Sequence, residues 1–180
     1  GTLLNRAAWV QGLGIGVKTA TIFPGNSQLE PSLPNVHAVF TLFNDKTGVP
    51  VAMIDGDMVT RWKTAGDSVL GARLLARADS KSLLIVGAGV VAQSLIEAYS
   101  AVFTGLERIS IWNRTTGNAQ KLASSMSSNR LPVKAVTDLA AAVAGADIVS
   151  SATMSTEPLL NGEWFRPGTH VDLIGAFRPD

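Results

Sequence analysis

A short apolar run ending in a glycine-spaced bend constrains this chain more than any other feature. Ser82–Val86 reads Ser-Leu-Leu-Ile-Val and passes directly into Gly87-Ala88-Gly89-Val90-Val91-Ala92. An unbroken apolar run of this length predicts a strand covered on both faces, as in a parallel sheet flanked by helices. The G-x-G-x-x-A spacing predicts a tight strand-to-helix turn that can hold phosphate. Gly87 permits the turn, Gly89 leaves the backbone open to a pyrophosphate, and Ala92 lets a new helix lie close to the sheet. A helix starting there offers free N–H groups and a positive dipole end to phosphate. Gly87, Ala88, Gly89, Val90 and Val91 are therefore candidate cofactor-binding residues. The alternative is a glycine-rich turn that holds no ligand.

The sequence around the bend fits the same plan. Val90–Phe103, Thr116–Ser127 and Asp138–Ala144 have helical patterning, with Thr115 and Thr137 as expected N-caps. Arg108–Trp112, Val133–Val136, Asp147–Ser151 and His170–Ile174 read as strands. Strands separated by helices predict an α/β fold with a Rossmann-type parallel sheet over 80–180. The end of its second strand selects the cofactor. An acidic residue there suits the ribose 2′-OH of NAD. This chain has Asn113-Arg114-Thr115, which favours NADP, because Arg114 can pair with a 2′-phosphate and Thr115 adds a donor. NAD, dual use, and a merely solvated Arg114 stay open. Ala152, Thr153 and Met154 after the fourth strand, and Gly175 after the fifth, are small or flexible residues facing the expected crevice. Ordinary loop packing explains them as well.

The residues before Asp79 look different. Gly16–Phe23, Val36–Phe43 and Val49–Ile54 read as strands, the last two forming a hairpin around Asn44–Gly48. Asp55-Gly56-Asp57 reads as a turn. An amphipathic helix is expected over 64–77, with Leu70, Leu74 and Leu75 widening an apolar stripe of Ala65, Val69, Ala72 and Ala76. Residues 1–62 thus form part of a mixed α+β domain, and 63–79 a connecting helix. Lys18 shares an apolar strand face with Ala20 and Ile22. An anionic ligand or a snorkelling or edge-strand position explains it. Arg61 and Lys63 lie beside the expected helix start, which is unfavourable unless an anion sits between them. A Lys63–Asp67 pair along the helix is the plainer account.

Composition removes other classes. With 46% hydrophobic and 16% charged residues the chain is not disordered. A net charge of +1 gives no nucleic-acid footprint. Without Cys, and with His37 and His170 as the only histidines, neither a thiolate nor a His-cluster metal site is expected. No membrane span or signal peptide is legible, so a cytoplasmic protein is expected.

Gly16-Val17-Lys18-Thr19, Phe23-Pro24-Gly25-Asn26, Thr47-Gly48-Val49-Pro50, Asp55-Gly56, Lys63-Thr64-Ala65, Val86-Gly87-Ala88-Gly89, Ile111-Trp112-Asn113-Arg114-Thr115, Ala146-Asp147-Ile148-Val149, Ala152-Thr153, Glu157-Pro158-Leu159 and Pro167-Gly168-Thr169-His170 occur in an order that resembles the ornithine cyclodeaminase/mu-crystallin family. The resemblance implies an N-terminal substrate and dimerisation domain, then a Rossmann domain, in a homodimer. Against that plan the chain is expected to be a fragment. It also implies that Lys18 and Lys63 bind substrate, Lys63 standing where the family usually has arginine, and that Thr64 lies near the cofactor phosphates. The cyclodeaminases carry an aspartate where this chain has Phe177, and the Arg178-Pro179-Asp180 tail is more similar to the ketimine reductases. The expected activity is thus NAD(P)H-dependent reduction of cyclic imino acids. Ornithine cyclodeaminase, a non-catalytic NADP-binding protein, and an alanine-type dehydrogenase are the alternatives.

Overall fold

The computed structural model describes residues 1–153, 155 and 157–174; Met154, Gly175 and the Phe177–Asp180 tail lie outside the described residues. The chain divides into two compact units, Gly1–Lys63 and the remainder from Thr64.

The first unit is an antiparallel sheet of β1 (Thr2–Val10), β2 (Gly14–Ile22), β3 (Val36–Phe43) and β4 (Pro50–Asp55), in that spatial order. β1 is absent from the strands expected above, because Asn5-Arg6-Ala7-Ala8 breaks any clean alternation. Pairing confers its strand character: it runs in register with β2 from Thr2 opposite Ile22 to Val10 opposite Gly14. The turn between them uses Gly12 at φ 80° and Gly14 at φ 153°, conformations that L side chains rarely adopt. β2 is therefore an inner strand, which removes the edge-strand account of Lys18.

Helix α1 (Gly56–Leu75) begins earlier than its apolar stripe indicates. The Asp55 carboxylate accepts the Asp57 N–H at 2.7 Å and the Met58 N–H at 3.4 Å, so Asp55-Gly56-Asp57 is a helix start rather than a free turn. The Asp57 carboxylate in turn accepts the Ala38 N–H at 3.0 Å. Gly56 is required because a Cβ there would collide with the Ala38 backbone. Arg61 and Lys63 are consequently beyond the first turn, and Asp57 is the charge that meets the dipole.

The second unit contains β5 (Ser82–Val86), α2 (Val90–Val102), β6 (Arg108–Trp112), α3 (Thr116–Met126), β7 (Val133–Val136), α4 (Leu139–Ala144), β8 (Ile148–Ser151) and β9 (His170–Leu173). The sheet is parallel, with order β7-β6-β5-β8-β9. Alternate residues of β5 enter two cores, which is why the strand is apolar throughout. Leu83 and Ile85 pack with Val69, Leu95, Ile109 and Ile148. Leu84 and Val86 pack with Val143 and Val149 on the opposite face. Each such side chain contributes about 1.5–3 kcal/mol by leaving water. Ala65, Val69 and Ala72 of α1 are buried as expected, but Leu70, Leu74 and Leu75 are exposed. They fall on the side of the helix away from that core. The α4 cap is Asp138, not Thr137, because the Asp138 carboxylate accepts the Ala141 N–H at 3.0 Å.

Candidate active site

The bend after β5 is held by backbone bonds at both ends. The Gly87 N–H donates to Trp112 O, and the Ala152 N–H donates to Val86 O, each at 2.8 Å. This ties the C-terminal ends of β5, β6 and β8 together. Strand order reverses between β5 and β8, so a crevice opens there, outside the carboxyl ends of the strands.

The two glycines serve different ends. Gly87 has φ 122°, and a Cβ would strike the Ala152 carbonyl. Its role is therefore structural. Gly89 has φ −89°, a value open to any residue, and a Cβ there would meet nothing within 4 Å. Space in front of Gly89 is the one thing its missing side chain provides. Gly89 is the N-cap of α2 and supplies no side-chain cap, so the first-turn N–H groups of Val90 and Val91 have none. An open backbone and uncapped N–H groups fit a dinucleotide pyrophosphate.

At the end of β6, Trp112 Nε1 donates to Thr137 O at 3.1 Å, and Asn113 Nδ2 donates to Thr115 O at 3.0 Å. Asn113 thus shapes the turn, while Arg114 and Thr115 are exposed. Thr115 occupies the N-cap position of α3, yet its hydroxyl makes no capping bond. At the end of β8, Ala152 and Thr153 are half-buried, and Thr153 Oγ1 accepts the Ser155 N–H at 3.4 Å. Behind them, Ser150 Oγ donates to Asp172 Oδ2 at 2.7 Å. The Tyr99 hydroxyl is fully buried beside Ser150 and Asp172, and burial raises its pKa. Thr64, on α1, is half-buried.

In the first unit, Lys18 stands between Arg6 on β1 and Phe40 on β3. Burial lowers its pKa, with the charges of Lys63 and Arg6 adding to the effect and Asp57 opposing it. The structure thus brings Lys18 and Lys63 into one electrostatic neighbourhood. Arg6 has no signal in the sequence, because its place depends on the β1–β2 register. Among the described residues, no group of three or more His, Asp or Glu side chains could hold a metal, and no helix is long and apolar enough to cross a membrane.

The order of the parallel sheet and the bend at its switch point define a Rossmann-type α/β unit, preceded by an antiparallel α+β unit. The sequence pattern of the ornithine cyclodeaminase/mu-crystallin family matches residues 8–180. The chain belongs to that family. It is 53% identical over 180 residues to the Δ1-pyrroline-2-carboxylate reductase of Paracoccus denitrificans, covering all of this chain and 56% of that protein. It is 37% identical over 163 residues to the ketimine reductase mu-crystallin of Mus musculus, covering 91% of this chain and 50% of that protein. Among solved structures, it is similar to the Thermococcus litoralis Δ1-pyrroline-2-carboxylate reductase in complex with NADH and L-proline. That match has a TM-score of 0.82 at 30% identity, and covers 97% of this chain and 58% of that one. The chain spans about half the length of the curated relatives it matches.

Proposed function

We propose that the protein is an oxidoreductase that reduces cyclic imino acids with NADPH or NADH. Δ1-Pyrroline-2-carboxylate would yield L-proline, and Δ1-piperideine-2-carboxylate L-pipecolate. The observation that carries this reading is the 53% identity to a Δ1-pyrroline-2-carboxylate reductase along the whole chain. The open backbone at Gly89 supports a dinucleotide on the second unit.

In this reading the Gly87–Val91 bend receives the pyrophosphate, Gly87 by shaping the turn and the backbone from Ala88 to Val91 by facing the phosphates, with Thr64 beside them. Asn113, Arg114 and Thr115 receive the adenosine ribose, and Ala152 and Thr153 line the nicotinamide side. Arg114 favours NADPH, since nothing acidic stands at Asn113-Arg114-Thr115 to repel a 2′-phosphate. When bound, the reduced nicotinamide supplies a hydride to the ring C=N carbon. Lys18 and Lys63 hold the α-carboxylate, and the orientation this imposes lowers the entropic part of the barrier. The protonated iminium nitrogen becomes the secondary amine of the product, so no strong general acid is required. The proton affinity of Lys18 is lowered first by burial and then by the Lys63 and Arg6 charges, and the positive charge gathered beside it favours an anion. A homodimer is proposed as well, supported by the exposed apolar side chains Leu3, Leu4, Trp9 and Val10 along β1.

The test is dinucleotide oxidation by the complete protein on a panel of cyclic imines, with NADPH and NADH run in parallel. Oxidation with Δ1-pyrroline-2-carboxylate is expected. Ammonia release from ornithine without net dinucleotide consumption would replace this reading with the cyclodeaminase one.

A further inference from the structure

We propose that Arg6 is a third cation of the substrate-binding face, and that it supplies a two-pronged grip on a ligand carboxylate that Lys18 and Lys63 cannot. The proposal rests on the reading of this face as the site of a carboxylated ring, and adds a residue to it.

Register carries the placement. Arg6 lies directly opposite Lys18 in the β1–β2 pairing. Residues directly opposite in an antiparallel pair project from the same face. Lys18 is in turn opposite Phe40, and Phe40 opposite Ile54. A row Arg6–Lys18–Phe40–Ile54 therefore crosses one face of the sheet. Gly16 and Ala20 flank Lys18 along β2 on that face. The Phe40 ring lies over Gly16, so closely that a Cβ at Gly16 would meet Phe40 Cζ at 2.5 Å. The residues flanking the two cations on that face, Gly16, Ala20 and Phe40, are thus apolar, which suits an aliphatic ring.

Like charges directly opposite each other on a sheet destabilise it. Here the Arg6 and Lys63 charges both act on Lys18, and Asp57 is the carboxylate that opposes them. Asp57 is already engaged, accepting the Ala38 N–H at 3.0 Å and lying 4.0 Å from His37 Nδ1. The Arg6–Lys18 pairing therefore works against the ligand-free fold and in favour of an anion laid beside it. The three cations are not equivalent. A lysine ammonium acts as a point charge on a flexible stem, whereas a guanidinium presents parallel donors that match both oxygens of a carboxylate. Arg6 fixes the plane of the carboxylate, and through it the orientation of the ring.

The experiment uses the complete protein as wild type, Arg6→Gln and Arg6→Lys. Calorimetry measures Kd for pyrrole-2-carboxylate, a planar unreactive ring acid, on dinucleotide-saturated protein. Steady-state kinetics measures KM and kcat for Δ1-pyrroline-2-carboxylate, and a thermal scan measures the ligand-free Tm. Arg6→Gln is expected to raise Kd and KM about tenfold, the loss of one charged two-point contact, and to lower kcat as the ring loses its fixed orientation. Arg6→Lys recovers part of the loss. The ligand-free Tm of Arg6→Gln is unchanged or higher, because a like-charge pair is relieved. Kd and KM equal to wild type overturn the proposal, while wild-type turnover leaves the reductase reading intact. A weakened Kd accompanied by a lower ligand-free Tm also overturns it, since the residue is then structural. No wild-type turnover, with a Kd that still responds to Arg6→Gln, overturns the reductase reading and keeps Arg6 in an anion site.

Discussion

Asp147 gathers five donors at the N-terminal end of the parallel sheet, and Asp147→Asn tests how far that cluster stabilises the second unit. Oδ2 accepts the Lys81 and Ser82 N–H groups at 3.0 Å each and the Ser82 hydroxyl at 2.8 Å. Oδ1 accepts Arg77 Nη2 at 2.8 Å and Arg166 Nη2 at 3.4 Å. The side chain is only 13% exposed, whereas that of Arg77 is 44% exposed. In the asparagine variant the amide oxygen keeps the two backbone donors. The amide NH2 then faces two guanidinium groups, donor against donor. Charged hydrogen bonds contribute about 1.5–3 kcal/mol each, but exposure of the arginines screens them, so about 2 kcal/mol is expected in total. Asp147→Ala also strips acceptors from the N–H groups of Lys81 and Ser82, and should cost about 3–4 kcal/mol. Hydrogen exchange of β5 and β8 amides in the complete protein reads this unit separately from the first. The pH dependence has a definite sign. Burial pushes the Asp147 carboxyl up, but the Lys81 N–H, the Ser82 hydroxyl and N–H, and the Arg77 charge outweigh it and hold the pKa below its ordinary 3.8. A carboxyl with a depressed folded-state pKa stabilises above its unfolded value, and that stability is lost as pH falls through the folded one. The wild-type advantage over Asp147→Asn should therefore be complete at neutral pH and shrink below about pH 4. An Asp147→Asn variant within about 0.5 kcal/mol of wild type at pH 7, the ordinary range for an uninvolved surface change, would refute the reasoning.

The two glycines of the bend should separate in opposite ways. Gly87→Ala is expected to cost about 3 kcal/mol from backbone strain and the Ala152 collision, seen as a lower urea midpoint. Gly89→Ala should leave stability within about 1 kcal/mol and abolish dinucleotide binding measured by fluorescence titration. Arg114→Ala should raise the NADPH KM about tenfold or more and leave the NADH KM unchanged, reversing the cofactor preference. Lys63→Ala should raise the imine KM sharply with a smaller effect on kcat. An unchanged KM removes Lys63 from the site.

The parts of this protein legible in advance are those whose cause is local. β5 is recognisable because both of its faces are buried, so every position is apolar. The bend after it is recognisable because a positive φ at Gly87 and an open backbone at Gly89 each demand glycine at a fixed spacing. The Asn113–Thr115 corner belongs to the same unit, one crossover later. Other features depend on partners distant in the chain. β1 has no strand signature of its own and becomes a strand through pairing with β2. The start of α1 has the residues of a turn, because Asp55 and Gly56 suit both, and it is a helix because Gly56 nests against Ala38. Leu70, Leu74 and Leu75 extend a plausible stripe, but the core of the second unit reaches only the side of the helix that carries Ala65, Val69 and Ala72. Arg6 beside Lys18 belongs to the same class: residue types are written in the chain, but their meeting across two strands is a matter of register, and register is set by hydrogen bonds between segments that no local pattern encodes.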